Sequence, residues 1–161
     1  MSRKNHLWAP WRAEYVTSPD SQEGCVFCLA PGNKDDRENK ILFRGKKSFA
    51  LLNLYPYNCG HAMVAPYRHT ADFESLSWEE LKEINIILKK LMKKMREKMA
   101  PHGFNMGVNL GRPAGAGIDK HIHFHIVPRW SGDTNFMPVL SGDKVMPESL
   151  ESVWRKLKIK E

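Results

Sequence analysis

The chain has no apolar run long enough to cross a bilayer as a helix, which takes roughly 20 consecutive residues. Its start, Met1-Ser-Arg-Lys-Asn-His6, is basic, but no apolar segment follows. That reads against a secretory signal, and a cytoplasmic protein with no membrane partner is the expectation. No internal repeat or low-complexity linker is present, and 161 residues suit one compact domain with a proper core. Cysteine is scarce at three residues, and without a secretory signal a structural disulfide is disfavoured. Acidic residues number 18 against 25 basic ones, leaving a net charge of +7. Such an excess invites a polyanion. No nucleic-acid motif accompanies it, however, and much of it falls in Lys89-Lys90, Lys93-Lys94 and Arg96 to Lys98, read as a solvated helix face. Nucleic acid is therefore not expected as a partner, nor is an organic cofactor.

What is present is concentrated in one stretch, Gly115-Ala116-Gly117-Ile118-Asp119-Lys120-His121-Ile122-His123-Phe124-His125-Ile126. Alternation at period two reads as a half-buried strand, with His121, His123 and His125 on one face and Ile122, Phe124 and Ile126 pointing into a core. Three imidazoles spaced about 7 Å apart along such a face depress one another's pKa, so at least one is neutral near pH 7. A neutral imidazole is a nucleophile, a base or a metal ligand. Three histidines can chelate a transition ion, with only Asp119 and Asp133 as local carboxylates. Alternatively, one attacks phosphorus while the glycine-rich loop 111–117 brings backbone N–H groups close to phosphate oxygens. Loop and histidines together favour phosphorus.

The rest of the chain reads as support. Residues 1–20, with Leu7-Trp8-Ala-Pro-Trp11 and Tyr15-Val16, form an aromatic arm that packs on the body or on a partner subunit. Cys25 and Cys28 form a C-x-x-C for which zinc is the better reading, although it supplies only two ligands; Cys59 reads as a small buried residue. Pro31 to Asn39 is polar loop. Ile41 to Asn53 is two strands about a turn at Gly45, with Asn53 at the end of the second. His61 to Pro66 is a short strand. Ser77-Trp-Glu-Glu80 has capping-box spacing, and Leu81, Ile84, Leu88, Leu91, Met92, Met95 and Met99 recur at helical spacing until Pro101-His102-Gly103 ends the helix; His102 reads as a partner of its C-terminal dipole. Phe104 to Leu110 alternates as a strand. Residues 131–139 read as extended, and Pro147 to Leu157 as a last helix with proline near its first turn.

The residues His121-Ile-His123-Phe-His125-Ile-Val, followed by Pro128-Arg129, resemble the motif of the histidine-triad (HIT) family of nucleotide hydrolases and transferases. The resemblance covers roughly residues 25–130. It includes Asn53 eight residues before His61, the stretch His61-Ala-Met-Val-Ala-Pro66, and Asn109 opening the glycine loop. The tail Pro128-Arg-Trp-Ser-Gly-Asp-Thr-Asn-Phe-Met-Pro-Val looks like the branch that includes diadenosine tetraphosphate phosphorylases. The resemblance implies an α+β fold, an antiparallel sheet with one long helix and a C-terminal helix. It implies an arm over 1–20, a catalytic domain over 21–130, and an extension over 131–161 packing on the same domain. It also implies a homodimer and nucleotidyl transfer from a nucleotide or dinucleoside polyphosphate to water or phosphate. Position by position, His123 matches the nucleophile at the α-phosphate and His125 the residue bonding the phosphate oxygens. A buried carbonyl accepting from the other nitrogen of His123 would fix its tautomer. Asn53 matches the ribose contact, and Asn109, Gly115, Ala116 and Gly117 the phosphate side. Zinc-containing relatives imply a closed, structural Cys25, Cys28, His69, His121 set. The sequence departs at Gly117 and Ile118, where many relatives carry Gln and then Ser or Thr. Phosphate contacts then fall to backbone, to Lys120, or to the segment after Arg129. Nucleoside phosphoramidate hydrolysis and non-catalytic nucleotide binding are the alternatives.

Overall fold

A computed structural model describes residues 24–135, 137 and 144–159; the aromatic arm lies outside these residues. Helix α1 (Val26–Gly32) is followed by strands β1 (Ile41–Arg44), β2 (Ser48–Leu52) and β3 (Ala62–Pro66). After them come the long helix α2 (Trp78–Met99), β4 (Gly103–Val108), a 3-10 turn (Arg112–Ala114), β5 (Phe124–Arg129) and helix α3 (Leu150–Leu157). The strands form one antiparallel sheet in the order β1-β2-β3-β5-β4. This is the α+β arrangement expected, with β5, the strand of the histidines, set between β3 and β4. No described helix is long and apolar enough to cross a membrane.

Strand alternation sorts the sheet into two buried faces. Leu42, Ala50, Leu52, Ala62, Val64 and Ile126 face α2 and α3, where Ile84, Ile87, Leu91, Met95, Val153 and Leu157 complete the larger core. Ile41, Phe49, Leu51, Met63 and Ala65 face the other way, covered by Phe27 and Ala30 of α1. Met63 is paired across the ladder with His125, so the histidine face is the α1 face. The long helix supplies the opposite core.

Helix α2 begins with the capping box read from sequence: Glu80 N–H donates to Ser77 Oγ at 3.2 Å, and Ser77 N–H to Glu80 Oε2 at 2.8 Å. Arg68 closes on the same carboxylate at 3.0 and 3.1 Å and, with Ser77, holds it down to about 2. The helix ends at Ala100 in the left-handed region, ahead of Pro101. His102 does not serve that terminus; its Nδ1 accepts from Ser131 N–H at 2.9 Å. Three boundaries also differ from expectation. Pro31 and Gly32 belong to α1 rather than to a loop. Ser131 and Gly132 form a turn. Helix α3 starts after Ser149, whose Oγ accepts from Ser152 N–H at 3.2 Å, leaving Pro147 outside it. Trp154 Nε1 and Ile159 N–H then donate to the carbonyls of Ile41 and Leu42, both at 2.9 Å, fastening the C-terminal segment to β1.

The β1–β2 turn depends on a contact from α2. Glu83 accepts the backbone N–H groups of Lys46, Lys47 and Ser48 at 2.8, 2.6 and 2.7 Å. A Cβ at Gly45 would lie 2.8 Å from both Glu83 Cδ and the Ser48 carbonyl, so only glycine lets the carboxylate in. Glu83→Ala, which strands the N–H of buried Ser48, should lower the unfolding free energy by about 1–3 kcal/mol. Gly45→Ala should lower it too. Urea midpoints equal to wild type in both variants would contradict this account of the turn.

Candidate functional site

Only part of the histidine stretch is a strand. The ladder begins at Phe124, paired with Val64 and Val108, and His121 and His123 lie before it. Pro66 ends β3 with no N–H to offer, and its carbonyl accepts from His121 Nε2 at 2.9 Å, so the ladder has nothing to continue with. Residues 121–123 run instead beside the segment after β3, with Ile122 N–H donating to the Thr70 carbonyl at 2.7 Å. The face assignments hold all the same: Ile122 and Ile126 are core, and Phe124 packs against it.

His123 is buried, 6% exposed. Its Nδ1 lies 2.8 Å from the His121 carbonyl oxygen, which can only accept, so Nδ1 carries the proton and Nε2 holds a free lone pair. Burial lowers its pKa, opposed by that hydrogen bond. The buried carbonyl expected from the sequence is thus the neighbouring triad residue's own.

His61 was not read as a site residue, yet it is 1% exposed, with Nε2 2.9 Å from His125 Nδ1. Its Nδ1 accepts from Tyr57 N–H at 3.1 Å and faces Asn53 Nδ2 at 3.4 Å. A backbone N–H can only donate, so neutral His61 bears its proton on Nε2 and gives it to His125 Nδ1. His125, accepting at Nδ1, then carries its own proton on Nε2. Burial, with His125 and His123 as neighbours, pushes the His61 pKa down to about 3, so this polarity holds at neutral pH. The loop supplying Tyr57 N–H is fastened from outside. Asn58 Nδ2 donates to Asp133 Oδ2 at 2.7 Å and to the Pro128 carbonyl at 3.0 Å, and Lys144 Nζ to the Tyr57 carbonyl at 2.9 Å. Arg129 braces Asp133 at 2.6 Å and holds its carboxyl well below the usual range.

Asn53, Tyr55, Tyr57, Met63, Phe27, Gly115, Gly117, Ile118, His123 and His125 line a cleft continuous with solvent. Of the other predicted nucleotide contacts, Asn109 Nδ2 donates to the carbonyl of the cleft residue Gly115 at 3.2 Å, bracing the loop, and Ala116 is buried. Gly115 takes a φ of +96°, which suits glycine. Lys120 is exposed and lies off the cleft wall. Described residues after Arg129 buttress the 55–58 loop through Asp133 and Lys144 rather than lining the cleft.

The second cluster joins four residues that are distant in sequence. The ligand atoms of Cys25, Cys28, His69 and His121 lie within 4.8 Å of one another. Cys25 Sγ and Cys28 Sγ are 3.4 and 3.6 Å from His121 Nδ1, and Cys28 Sγ is 3.3 Å from His69 Nδ1. Zinc–sulfur bonds of about 2.3 Å and zinc–nitrogen bonds of about 2.0 Å put tetrahedral S···N edges near ~3.5 Å. The donors are therefore spaced for such an ion. Burial and then Cys25 push the Cys28 thiol up. His121 Nε2 donates to a backbone carbonyl, as ligating histidines commonly do with the nitrogen that faces away from the metal. Asp119 pairs with Arg112 at 2.9 Å and Asp133 with Arg129, so neither local carboxylate belongs to this set.

The HIT domain family model matches residues 34–132. The AP-4-A phosphorylase of Mycobacterium tuberculosis is 38% identical over 158 residues, 94% of this chain and 81% of that protein. The adenosine 5'-monophosphoramidase of Schizosaccharomyces pombe is 29% identical over 136 residues, 84% and 97% of the two chains. Among solved structures, a zinc-bound histidine triad family protein from Mycobacterium smegmatis superposes with a TM-score of 0.66. It is 25% identical, with 84% of this chain and 91% of that one covered.

Because His61 stays neutral in the folded protein at pH values where the exposed imidazole is protonated, its folded pKa of about 3 against an unfolded value of 6.5 sets a sign. Stability from this group is complete above pH ~6.5 and is lost progressively toward pH ~3. His61→Asn should flatten the stability profile over that window in urea titrations at stepped pH. A slope identical to wild type would refute the assignment.

Proposed function

The chain belongs to the HIT family and is an enzyme of its nucleotide hydrolase and phosphorylase class; from that premise we propose that His123 Nε2 attacks the α-phosphorus of a dinucleoside polyphosphate such as diadenosine tetraphosphate. The carrying observation is the hydrogen bond from His123 Nδ1 to the His121 carbonyl, which leaves the Nε2 lone pair free at the cleft. A P–N bond forms as the P–O bond to the leaving nucleotide breaks, and the departing oxygen carries the bond's electron pair away. His125, holding its proton on Nε2 through the His61 relay, donates to an α-phosphate oxygen as negative charge builds there. The nucleotidyl-histidine then loses its nucleotide to water or to inorganic phosphate, regenerating neutral His123.

Asn53 and the walls formed by Tyr55 and Tyr57 support nucleoside binding in the same cleft, and Gly115 and Gly117 offer backbone there to phosphate. Asn109 acts through the loop it braces. The match to a phosphorylase over nearly the whole chain favours phosphate as acceptor. Cys25, Cys28, His69 and His121 would hold zinc, whose closed four-ligand site supplies cross-linking rather than an open position for water. The family expectation of a homodimer is supported by β4, a sheet-edge strand with Met106 about half exposed.

Product analysis on diadenosine tetraphosphate tests the reading. ADP and ATP formed only when phosphate is supplied would identify a phosphorylase, and AMP and ATP without it a hydrolase. His123→Ala should lower kcat by at least about 10³-fold. Turnover unchanged in that variant would overturn the mechanism. Cys28→Ser should reduce bound zinc measured by atomic absorption and lower the melting temperature; an unaltered metal content would remove Cys28 from the set.

A further inference from the structure

The Nδ1 partner and one stacked face of the His123 ring come from a member of the four-donor cluster and from an immediate chain neighbour of another. The proton on Nδ1 is held by the carbonyl of His121, which is itself one of the four donors. One ring face is covered by Phe27, with centroids 4.6 Å apart and planes 27° from parallel. Phe27 lies inside the C-x-x-C, directly before Cys28, and is 1% exposed. It also meets the His121 ring at 5.2 Å, so it is wedged between a cluster donor and His123. The edge of His125 approaches at 4.9 Å.

Helix α1 has little of its own to hold Phe27 in place. It is seven residues long, lacks a side-chain cap at Cys25, and contains Pro31. Two turns of helix do not persist alone in water. The helix depends on packing against Phe49, Leu51, Met63 and Ala65 and on whatever draws Cys25 and Cys28 toward His69 and His121. A metal ion at those donors would fix both ends of the four-residue segment Cys25-Val26-Phe27-Cys28, together with the residue whose carbonyl orients Nδ1.

We propose that the Cys25–Cys28–His69–His121 cluster positions the nucleophile: closed on a metal, it seats Phe27 against the face of His123 and fixes the His121 carbonyl that sets its tautomer. Phe27 is a positioning residue in this arrangement. The inference rests on the reading of His123 as the attacking group and adds a cause for its orientation. It differs from a purely architectural metal site, whose loss would lower stability and leave the ring where it is. It also differs from a wall role for Phe27, whose loss would weaken substrate binding alone.

The test uses the full chain loaded with zinc, at one fixed pH. Long-range ¹H–¹⁵N spectra of the imidazoles, with His123 assigned by comparison with His123→Ala, report the ring directly. Removing zinc with a chelator, or by Cys28→Ser, should shift or broaden the His123 signals, whereas those of His61, held by Tyr57 N–H, should stay. Phe27→Leu keeps an apolar side chain but loses the flat face. It should retain one equivalent of zinc, move the His123 signals, and lower kcat on diadenosine tetraphosphate by about 10- to 100-fold with KM within about twofold. Phe27→Tyr, which keeps the ring, should restore most of that kcat. His123 signals indifferent to zinc removal would overturn the proposal. So would a Phe27→Leu variant with wild-type kcat, or with a change confined to KM. If the wild-type protein turns over no dinucleotide, the functional reading fails, and the ring signals still decide the positioning.

Discussion

His121 makes three commitments at once, and the histidine face is arranged around them. Its Nε2 donates to the Pro66 carbonyl, ending the β3–β5 ladder. Its Nδ1 turns toward two thiols, and its own carbonyl takes the proton of His123. A fully buried imidazole could not hold that position without a partner for each nitrogen, because an unpaired polar atom in a dry interior costs about 1–3 kcal/mol. Satisfying it draws the C-x-x-C segment, the loop after β3 and the start of β5 to one point. Burial lowers its pKa to about 4, so it remains neutral and both nitrogens keep distinct roles.

The second organising element is a chain of hydrogen bonds with one direction. It starts at Tyr57 N–H, which can only donate, runs through His61 to His125, and leaves the proton of His125 on Nε2. A protonated His61 would set a second donor against Tyr57 N–H and break the first bond, and desolvation makes that form costly. His123 and His125 thus differ in which ring nitrogen bears hydrogen. A carbonyl sets this in one case and an amide in the other, so two neighbouring imidazoles take opposite parts near neutral pH. The braces on the 55–58 loop from Asp133 and Lys144 keep that amide in register.

The sheet divides these duties between its faces. Helix α2 and helix α3 bury the larger apolar cluster, which includes Leu88, Leu91, Met95 and Leu157. The face under α1 is smaller and carries the imidazoles, the cleft and the four-donor cluster. A change of volume under α2 is therefore felt first as stability, whereas a change at Phe27 or Met63 is also felt at the cleft. The basic side chains of α2 fit the first role: Lys90 lies over Phe43 at 4.1 Å and Arg96 over Phe104 at 5.3 Å, covering apolar rings while their charges face solvent.

Much was legible in the residues alone because the physics involved is local. The capping box at Ser77 and Glu80, the helical period after it and the turn at Gly45 each depend on neighbours a few positions away. So did the alternation from Ile122 to Ile126, which assigned the core face correctly although the ladder starts only at Phe124. The C-x-x-C showed two donors and a resemblance supplied the others, but only folding brings Cys25 within 3.4 Å of a side chain 96 residues later. His61 carried no signal of its own, since one histidine at the start of a strand has no period to betray it. Phe27 was hidden as an x between cysteines. The roles of Asn109, Asp133 and Lys144 as braces depend on where loops meet in space, and no spacing encodes that. Local pattern determined most of the elements and placed the imidazoles on one face. Tertiary contact decided which nitrogen of each imidazole carries the proton, because that is set by whichever carbonyl or amide the fold places opposite.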